Sequence, residues 1–459
     1  MVLPMSRAAR AASRLVPEIP MLRRSSKQQQ QASAAAEEEQ EVAVPAHFVC
    51  PISLDLMRDP VTAPTGITYD RESVEGWLAR GNARCPVTGR PLRLADLVPN
   101  HATRRMIQDW CVANRASGVQ RVPTPKVPLA DADAADAVAS VAAAARRGDV
   151  AACGAAAARA RALAKESDRN RRCLAAAGAA RALAAAFARL AGERVEGPAA
   201  VSCALGDVLA ALTVFFPLDD EARRCIASPS SLKSLVSVMS HGELQARASA
   251  AVVLRELASS SSAVDGHTLE AVQRTPGMLD ALVDLVRSPI STSATKAALV
   301  TAYYLVAASD RAAARFAELG AVAVLVEALV DADKGTSEKA LAALDGVLCA
   351  DAGLAAARAH ALAVPVLVKK MFRVSDMATD FAVSALWRLC RAGDAAGAAA
   401  CRAEAVRVGA FQKLLLLLQV GCGGVTKERA SELLKMLNGS RGSVECIETV
   451  DFKGLKRPF

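Results

Sequence analysis

Gly320-Ala-Val-Ala-Val-Leu-Val326 puts a turn residue ahead of a short apolar run, and the same signal recurs along the chain. It returns as Ser231-Leu-Lys-Ser-Leu-Val236, Gly277-Met-Leu-Asp-Ala-Leu-Val283, Ala363-Val-Pro-Val-Leu-Val368 and Gly409-Ala-Phe-Gln-Lys-Leu-Leu415. Aligned on Leu235, Leu282, Leu325, Leu367 and Leu414, the steps are 47, 43, 42 and 47 residues. A weaker copy, Gly178-Ala-Ala-Arg-Ala-Leu183, lies 52 residues before Leu235. Each unit also carries a second apolar helical stretch: Ala248–Leu257, Ala297–Val306, Ala340–Leu348, Phe381–Leu389 and Ala430–Leu437.

A period of about 40–47 residues with two or three helices per unit is the pattern of armadillo and HEAT arrays. The chain resembles armadillo repeats over residues 135–440, with five clear units preceded by one or two degenerate, Ala-rich ones. Such units cannot bury their apolar faces alone. They are expected to stack into a right-handed superhelix with one continuous core.

Composition agrees. At 459 residues the chain is too long for one ordinary domain. Hydrophobic residues make up 52% but aromatics only 3%. Small aliphatic side chains at that density favour closely packed helices over a β-sandwich and exclude whole-chain disorder. The 56 basic residues exceed the 47 acidic ones by 9, interspersed as on an ordinary solvated surface, which does not indicate nucleic-acid binding. Twelve cysteines without any C-x-x-C pair suit reduced, buried thiols and a cytoplasmic or nuclear setting. No window reaches the ~18–20 uncharged apolar residues of a membrane span.

Residues 1–44 read as a disordered arm. Their first 27 positions are Arg-rich like a transit peptide, but Pro4, Pro17 and Pro20 break the amphipathic helix such a peptide needs. Residues 119–134 form a linker with Pro123, Pro125 and Pro128, and 441–459 a short basic tail.

Between them, residues 45–118 have another texture. Turn residues are dense, a short strand fits Ile67–Tyr69, and a helix opens at Asp70 with Val74, Trp77 and Leu78 at helical spacing. A second helix fits Thr103–Ala113, with Met106, Ile107, Trp110 and Cys111 on one face. A domain this small needs something beyond an apolar core to hold it.

The stretch His47-Phe-Val-Cys-Pro-Ile-Ser-Leu-Asp-Leu-Met-Arg-Asp-Pro-Val61 is followed by Thr68-Tyr-Asp-Arg-Glu-Ser-Val-Glu-Gly-Trp-Leu78, Cys85-Pro-Val-Thr88 and Leu97-Val-Pro-Asn100. In order, spacing and residue type this closely resembles the U-box, the zinc-free relative of the RING finger found in ubiquitin ligases. With armadillo repeats behind it, the chain is similar to plant U-box and armadillo-repeat ubiquitin ligases. The fold expected is mostly α: a small α+β U-box followed by an α-solenoid.

The residues speak separately against a metal. Two tetrahedral zinc sites need eight ligands, mostly as C-x-x-C pairs. Here Ser53 and Thr88 stand where second cysteines would, and the segment holds three Cys and two His. Hydrogen bonds and ion pairs among Ser53, Thr88, Asp55, Asp59, Arg58 and Asn100 are expected to hold the loops instead. A single zinc on His47, Cys50, Cys85 and His101 is the rival arrangement. No cofactor is expected.

The resemblance implies a docking surface for a ubiquitin-charged E2 enzyme, with Ile52 and Leu54 from the first loop, Trp77 from the helix and Pro86 from the second loop. Leu54 and Trp77 also suit core positions. Pro51, Asp59, Pro60, Gly66, Tyr69, Asp70, Cys50, Cys85, Thr88 and Asn100 would set turns, caps and loop contacts. In members with a basic residue that bonds both E2 and ubiquitin, it directly follows the position of Thr88. Here that place is Gly89, and Arg90 comes one later. Ubiquitin would pass from E2 to a substrate lysine by orientation alone, with no covalent residue on this chain. A bound protein substrate would lie on the armadillo surface, where Trp387 and Tyr303-Tyr304 are the aromatic candidates. U-box homodimers and a non-catalytic scaffold are left open by the sequence.

Overall fold

The computed structural model describes residues 43–124, 129–192, 198–259, 265–391 and 395–440. The arm before them, the tail after residue 440 and Pro125 to Pro128 of the linker lie outside the described residues. Two compact units emerge, one of residues 43–70 with 85–124 and one of 71–84 with the helices after the linker.

The first unit is built on a three-stranded antiparallel sheet, β1 (Pro60–Thr62), β2 (Thr68–Asp70) and β3 (Val98–Pro99), in the order β2-β1-β3. Val61 pairs with Tyr69 on one side and Pro99 on the other. Phe48, Met57, Val61, Tyr69, Leu92, Ile107 and Cys111 are buried. After α1 (Arg71–Ala79), which belongs to the second unit, comes α2 (His101–Ala113). Asn100 caps α2, its side-chain oxygen accepting from Thr103 N–H at 2.9 Å, so the helix starts two residues earlier than its apolar pattern suggests. Met106 departs from the expected buried face and is exposed.

In the second unit α3 (Asp131–Arg146) and α4 (Val150–Glu166) precede six triplets of helices. The first three are α5 (Asp168–Ala176), α6 (Ala179–Gly192) and α7 (Pro198–Leu212); α8 (Asp220–Ile226), α9 (Pro229–His241) and α10 (Leu244–Ala258); α11 (Asp265–Arg274), α12 (Met278–Arg287) and α13 (Thr292–Ala308). The others are α14 (Asp310–Glu318), α15 (Ala321–Asp331) and α16 (Lys334–Val347); α17 (Asp351–Ala359), α18 (Ala363–Lys370) and α19 (Asp376–Cys390); α20 (Ala395–Arg407), α21 (Ala410–Val420) and α22 (Gly424–Ser440). Helix α4 and the long third helices α7, α10, α13, α16, α19 and α22 pack one on the next as a ladder.

The turn signal of the sequence has a conformational cause. Gly178, Gly277, Gly320 and Gly409 all sit at φ between +74° and +85°, where the chain reverses from the first helix of a triplet into the second. A Cβ is costly in that region, so glycine marks the turn. Ser and Asp N-caps start many of the other helices: Ser167, Ser291, Ser309, Asp333 and Ser375 each accept from the amide three residues on. Ala, Leu and Val between these punctuation marks fill one continuous core from Ala134 to Leu437. Among the described residues no single helix is long and apolar enough to cross a membrane.

Helix α1 carries a charge that the sequence reading did not single out. Glu75 is only 4% exposed and meets Arg169 at 3.2 Å, Arg71 at 3.8 Å and Arg172 at 3.9 Å. A buried carboxylate needs such partners. Two of them come from α5, far away in sequence.

Candidate functional site

Two loops of the first unit repeat one hydrogen-bond pattern. In Cys50-Pro-Ile-Ser-Leu-Asp55 the Cys50 carbonyl accepts from Leu54 N–H at 2.9 Å, and Cys50 N–H donates to the Asp55 carbonyl at 2.9 Å. In Cys85-Pro-Val-Thr-Gly-Arg90 the same two bonds run from Gly89 to Cys85 and from Cys85 to Arg90, each 2.8 Å. Leu54 at φ +61° and Gly89 at φ +68° therefore hold the same place. Only one of them is glycine.

This geometry decides which side chains reach solvent. Cys50 and Cys85 point inward and are buried, while Leu54 is 76% exposed. Pro51, Pro86, Thr88 and Arg90 are exposed and Ile52 is half-buried. Val87 is the counterpart of Ile52 and is also exposed, an apolar residue that the sequence reading passed over. The loop equivalence, Cys-Pro followed by apolar and hydroxyl residues, was its available signal. On α1, Trp77 is half-buried, and its indole N–H donates to the Arg84 carbonyl at 2.8 Å.

Strand β2 grips both loops from below. The Asp70 amide donates to the Cys50 sulfur at 3.3 Å, and the Tyr69 hydroxyl lies 2.9 Å from the Cys85 sulfur. Asp70 Oδ1 accepts from the amides of Arg58 and Asp59, at 2.8 and 2.9 Å. Asp59 pairs with Arg104 of α2. Pro60 is buried at the start of β1, and Gly66, at φ +80°, closes the β1–β2 turn onto the Ala63 carbonyl. Asn100, besides capping α2, donates to Thr62 Oγ1 at 3.0 Å. Ser53 contributes a contact to the Asp55 amide at 3.4 Å. Of the residues expected from sequence, Ser53, Asp59, Tyr69, Asp70, Thr88 and Asn100 join this network through their side chains and Arg58 and Asp55 through backbone groups only, while Arg104 and Thr62 are additions.

The Cys85 sulfur has an unusual environment. Burial alone would push its thiol up. Hydrogen bonds from Thr88, Tyr69 and the Thr88 and Val87 amides outweigh it and bring the group down to about 6. Burial, then the bond to Cys85, push the Tyr69 hydroxyl up, so Tyr69 keeps its proton and donates it to the sulfur. A thiolate closed off in this way is a structural acceptor, and its burial denies it the exposure a nucleophile needs. His47 and His101 are exposed, and among the described residues no three His, Cys, Asp or Glu side chains gather to hold a metal ion.

On the ladder, Trp387 of α19 is half-buried between two guanidinium groups, Arg391 at 4.8 Å and Arg429 at 5.4 Å from the ring centre. Tyr303 of α13 lies edge-on to Tyr304, at 5.4 Å, and to Phe381 of α19, at 6.0 Å.

Comparison with known proteins agrees with this architecture. The U-box domain matches residues 44–116, and the plant U-box protein ARM repeat region matches residues 134–456. U-box domain-containing protein 21 of Arabidopsis thaliana is 38% identical over 421 residues, covering 91% of this chain and 94% of that protein. U-box domain-containing protein 20 of the same plant is 34% identical, covering 91% and 93%. The Arabidopsis protein named E3 ubiquitin-protein ligase PUB23 is 34% identical, covering 86% of this chain and 93% of its own length. A paired-loop unit and a ladder of three-helix repeats, matched over nearly the whole length, make this chain a member of the plant U-box family with armadillo repeats.

Proposed function

We propose that the chain is an E3 ubiquitin-protein ligase that docks a ubiquitin-charged E2 on the paired Cys-Pro loops and recruits its protein substrate through the armadillo repeats. The observation that carries the reading is Leu54, an apolar side chain held in solvent at a backbone angle that costs an ordinary residue about 1–2 kcal/mol. Strain at a largely exposed apolar position is a mark of function. Ile52, Val87 and Pro86 on the same two loops supply further apolar contact area, and Arg90 supplies a rim charge. A few apolar anchors with a polar rim suit a small, exchangeable interface. Trp77 is added by the family resemblance.

Transfer then works by orientation: the E2 thioester is held for attack by a substrate lysine, and no group on this chain bonds to ubiquitin. The buried state of Cys50 and Cys85 fits that mechanism. The reading also sets the protein in the cytoplasm or nucleus, where charged E2 is supplied.

The test is autoubiquitination with E1, a panel of E2 enzymes, ubiquitin and ATP, in the presence of a chelator. Ile52→Ala, Leu54→Ala, Val87→Ala and Trp77→Ala would each cut the ladder at least tenfold while circular dichroism stays unchanged. Absence of a ladder with every E2 would point to the non-catalytic scaffold, which Gly89 favours by lacking a basic side chain. Restoring one there is opposed by its left-handed backbone, so Arg90 is the position to vary.

A further inference from the structure

The last triplet leaves open an apolar seam that the three triplets before it close. In the units of α12, α15 and α18, the residue after the aligned leucine is Val283, Val326 or Val368, and the residue four after it is Val286, Leu329 or Met371. All six are buried. Val283 and Val286 line one apolar cavity with Phe316 of α14 and Val324 of α15, so the next triplet is what closes the seam. The same positions of α21 are Leu415 and Leu418, still apolar. Leu415 is 43% exposed and Leu418 half-buried, and no described helix follows α22 to cover them.

Leu416 sharpens the contrast. Its counterparts are the exposed charges Asp284, Glu327 and Lys369, yet here a leucine is 47% exposed. Gln412, Gln419 and Val420 complete an outward stripe of α21 that carries no charge. The terminal unit of a solenoid needs a polar outer face to stand in water. The chain itself supplies a cover. Helix α14 opens two residues after α13 ends, α17 four after α16 and α20 five after α19. Each of them packs on the second helix of the triplet before it, α12, α15 and α18 in turn. Residues 441–459 follow α22 at the corresponding place in the order. Val444, Ile447 and Val450 recur among them at every third position, and the repeat-region match runs on to residue 456. The stripe from Gln412 to Val420 is only ~12 Å long on an α-helix, well within the reach of such a segment.

We propose that residues 441–459 dock on α21 and pack Val444, Ile447 and Val450 against Leu415, Leu416 and Leu418. The segment closes the last described triplet as the first helix of a further triplet would. Burial of that apolar area is what holds it there.

Hydrogen exchange read by mass spectrometry on the full chain tests this, with a synthetic peptide of residues 441–459 as the unprotected reference. In wild type the amides of residues 444–452 should exchange at least roughly tenfold more slowly than in the peptide. Leu415→Glu and Ile447→Glu should each return them to the peptide's rate and speed exchange in α21, with residues 43–124 unchanged. Leu415 is exposed, so a glutamate there leaves the inner core intact, and circular dichroism checks folding of both variants. Exchange at the peptide's rate in wild type would overturn the proposal and leave the stripe to a foreign partner. Protection that survives Leu415→Glu would place the segment elsewhere and equally overturn it. Protection lost on dilution, as light scattering shows a dimer parting, would give the stripe to a second copy instead. The assay needs no E1, E2 or ubiquitin, so its failure and that of the ligase reading are separate results.

Discussion

Leu54 and Gly89 occupy equivalent positions in two loops with the same backbone hydrogen bonds, at φ +61° and +68°. The fold asks for glycine at both places and receives it once. Replacing Leu54 by Gly should leave stability within about 1 kcal/mol, because relief of the left-handed strain offsets the added flexibility of the unfolded chain. Autoubiquitination should nonetheless fall at least tenfold. A chemical melt beside the ligase assay separates the two; a large loss of stability would mean that Leu54 packs something in solution.

Cys85 makes the small unit's stability depend on pH. Its folded thiol is held at about 6, below the ordinary value of 9.0. Between those values the unfolded chain keeps a proton that the folded protein has released. Stability therefore rises with pH across the window, and the contribution is lost as pH falls through 6. Cys85→Ser should flatten that slope, and Tyr69→Phe, which removes a donor to the thiolate, should move its lower end upward. Melting temperatures from pH 5 to 9, with thiolate absorbance followed in parallel, check both.

Glu75 is the buried centre of three arginines. Glu75→Ala should destabilise by about 1–3 kcal/mol, and Arg169→Ala, which leaves a carboxylate under-compensated, by a similar amount. Removing both should cost less than the sum. A double-mutant cycle in urea reads that coupling, and simple additivity would remove the pair from the account.

Gly346 lies where two ladder helices approach closely. A Cβ there would fall 2.2 Å from Val306 Cγ2, on a buried branched side chain. Gly346→Ala should cost about 1–3 kcal/mol by overpacking. Gly76, on α1, has nothing within 4 Å of its added Cβ, and the same change should stabilise by up to about 1 kcal/mol through helix propensity. The two melts shifting in the same direction would argue against close packing as the cause.

The repeats were legible because their signals are local. A glycine at positive φ before Leu282, Leu325 or Leu414 is required by its own turn, so the period survives in the sequence whatever packs on it. The loop cysteines and their hydroxyl neighbours were legible for the same reason, as short spacings with a chemical meaning. Three things came only from the tertiary structure. One is the set of partners: Asp59 with Arg104, Glu75 with Arg169 and Trp387 with Arg429 are each joined across more than forty residues. Another is exposure: Leu54 and Val61 read alike as apolar residues, yet one is 76% exposed and the other fully buried. The third is that the two loops superpose in hydrogen bonding, which makes Val87 a counterpart of Ile52. Charge pairing and burial depend on where the rest of the chain lies, and a turn depends only on itself.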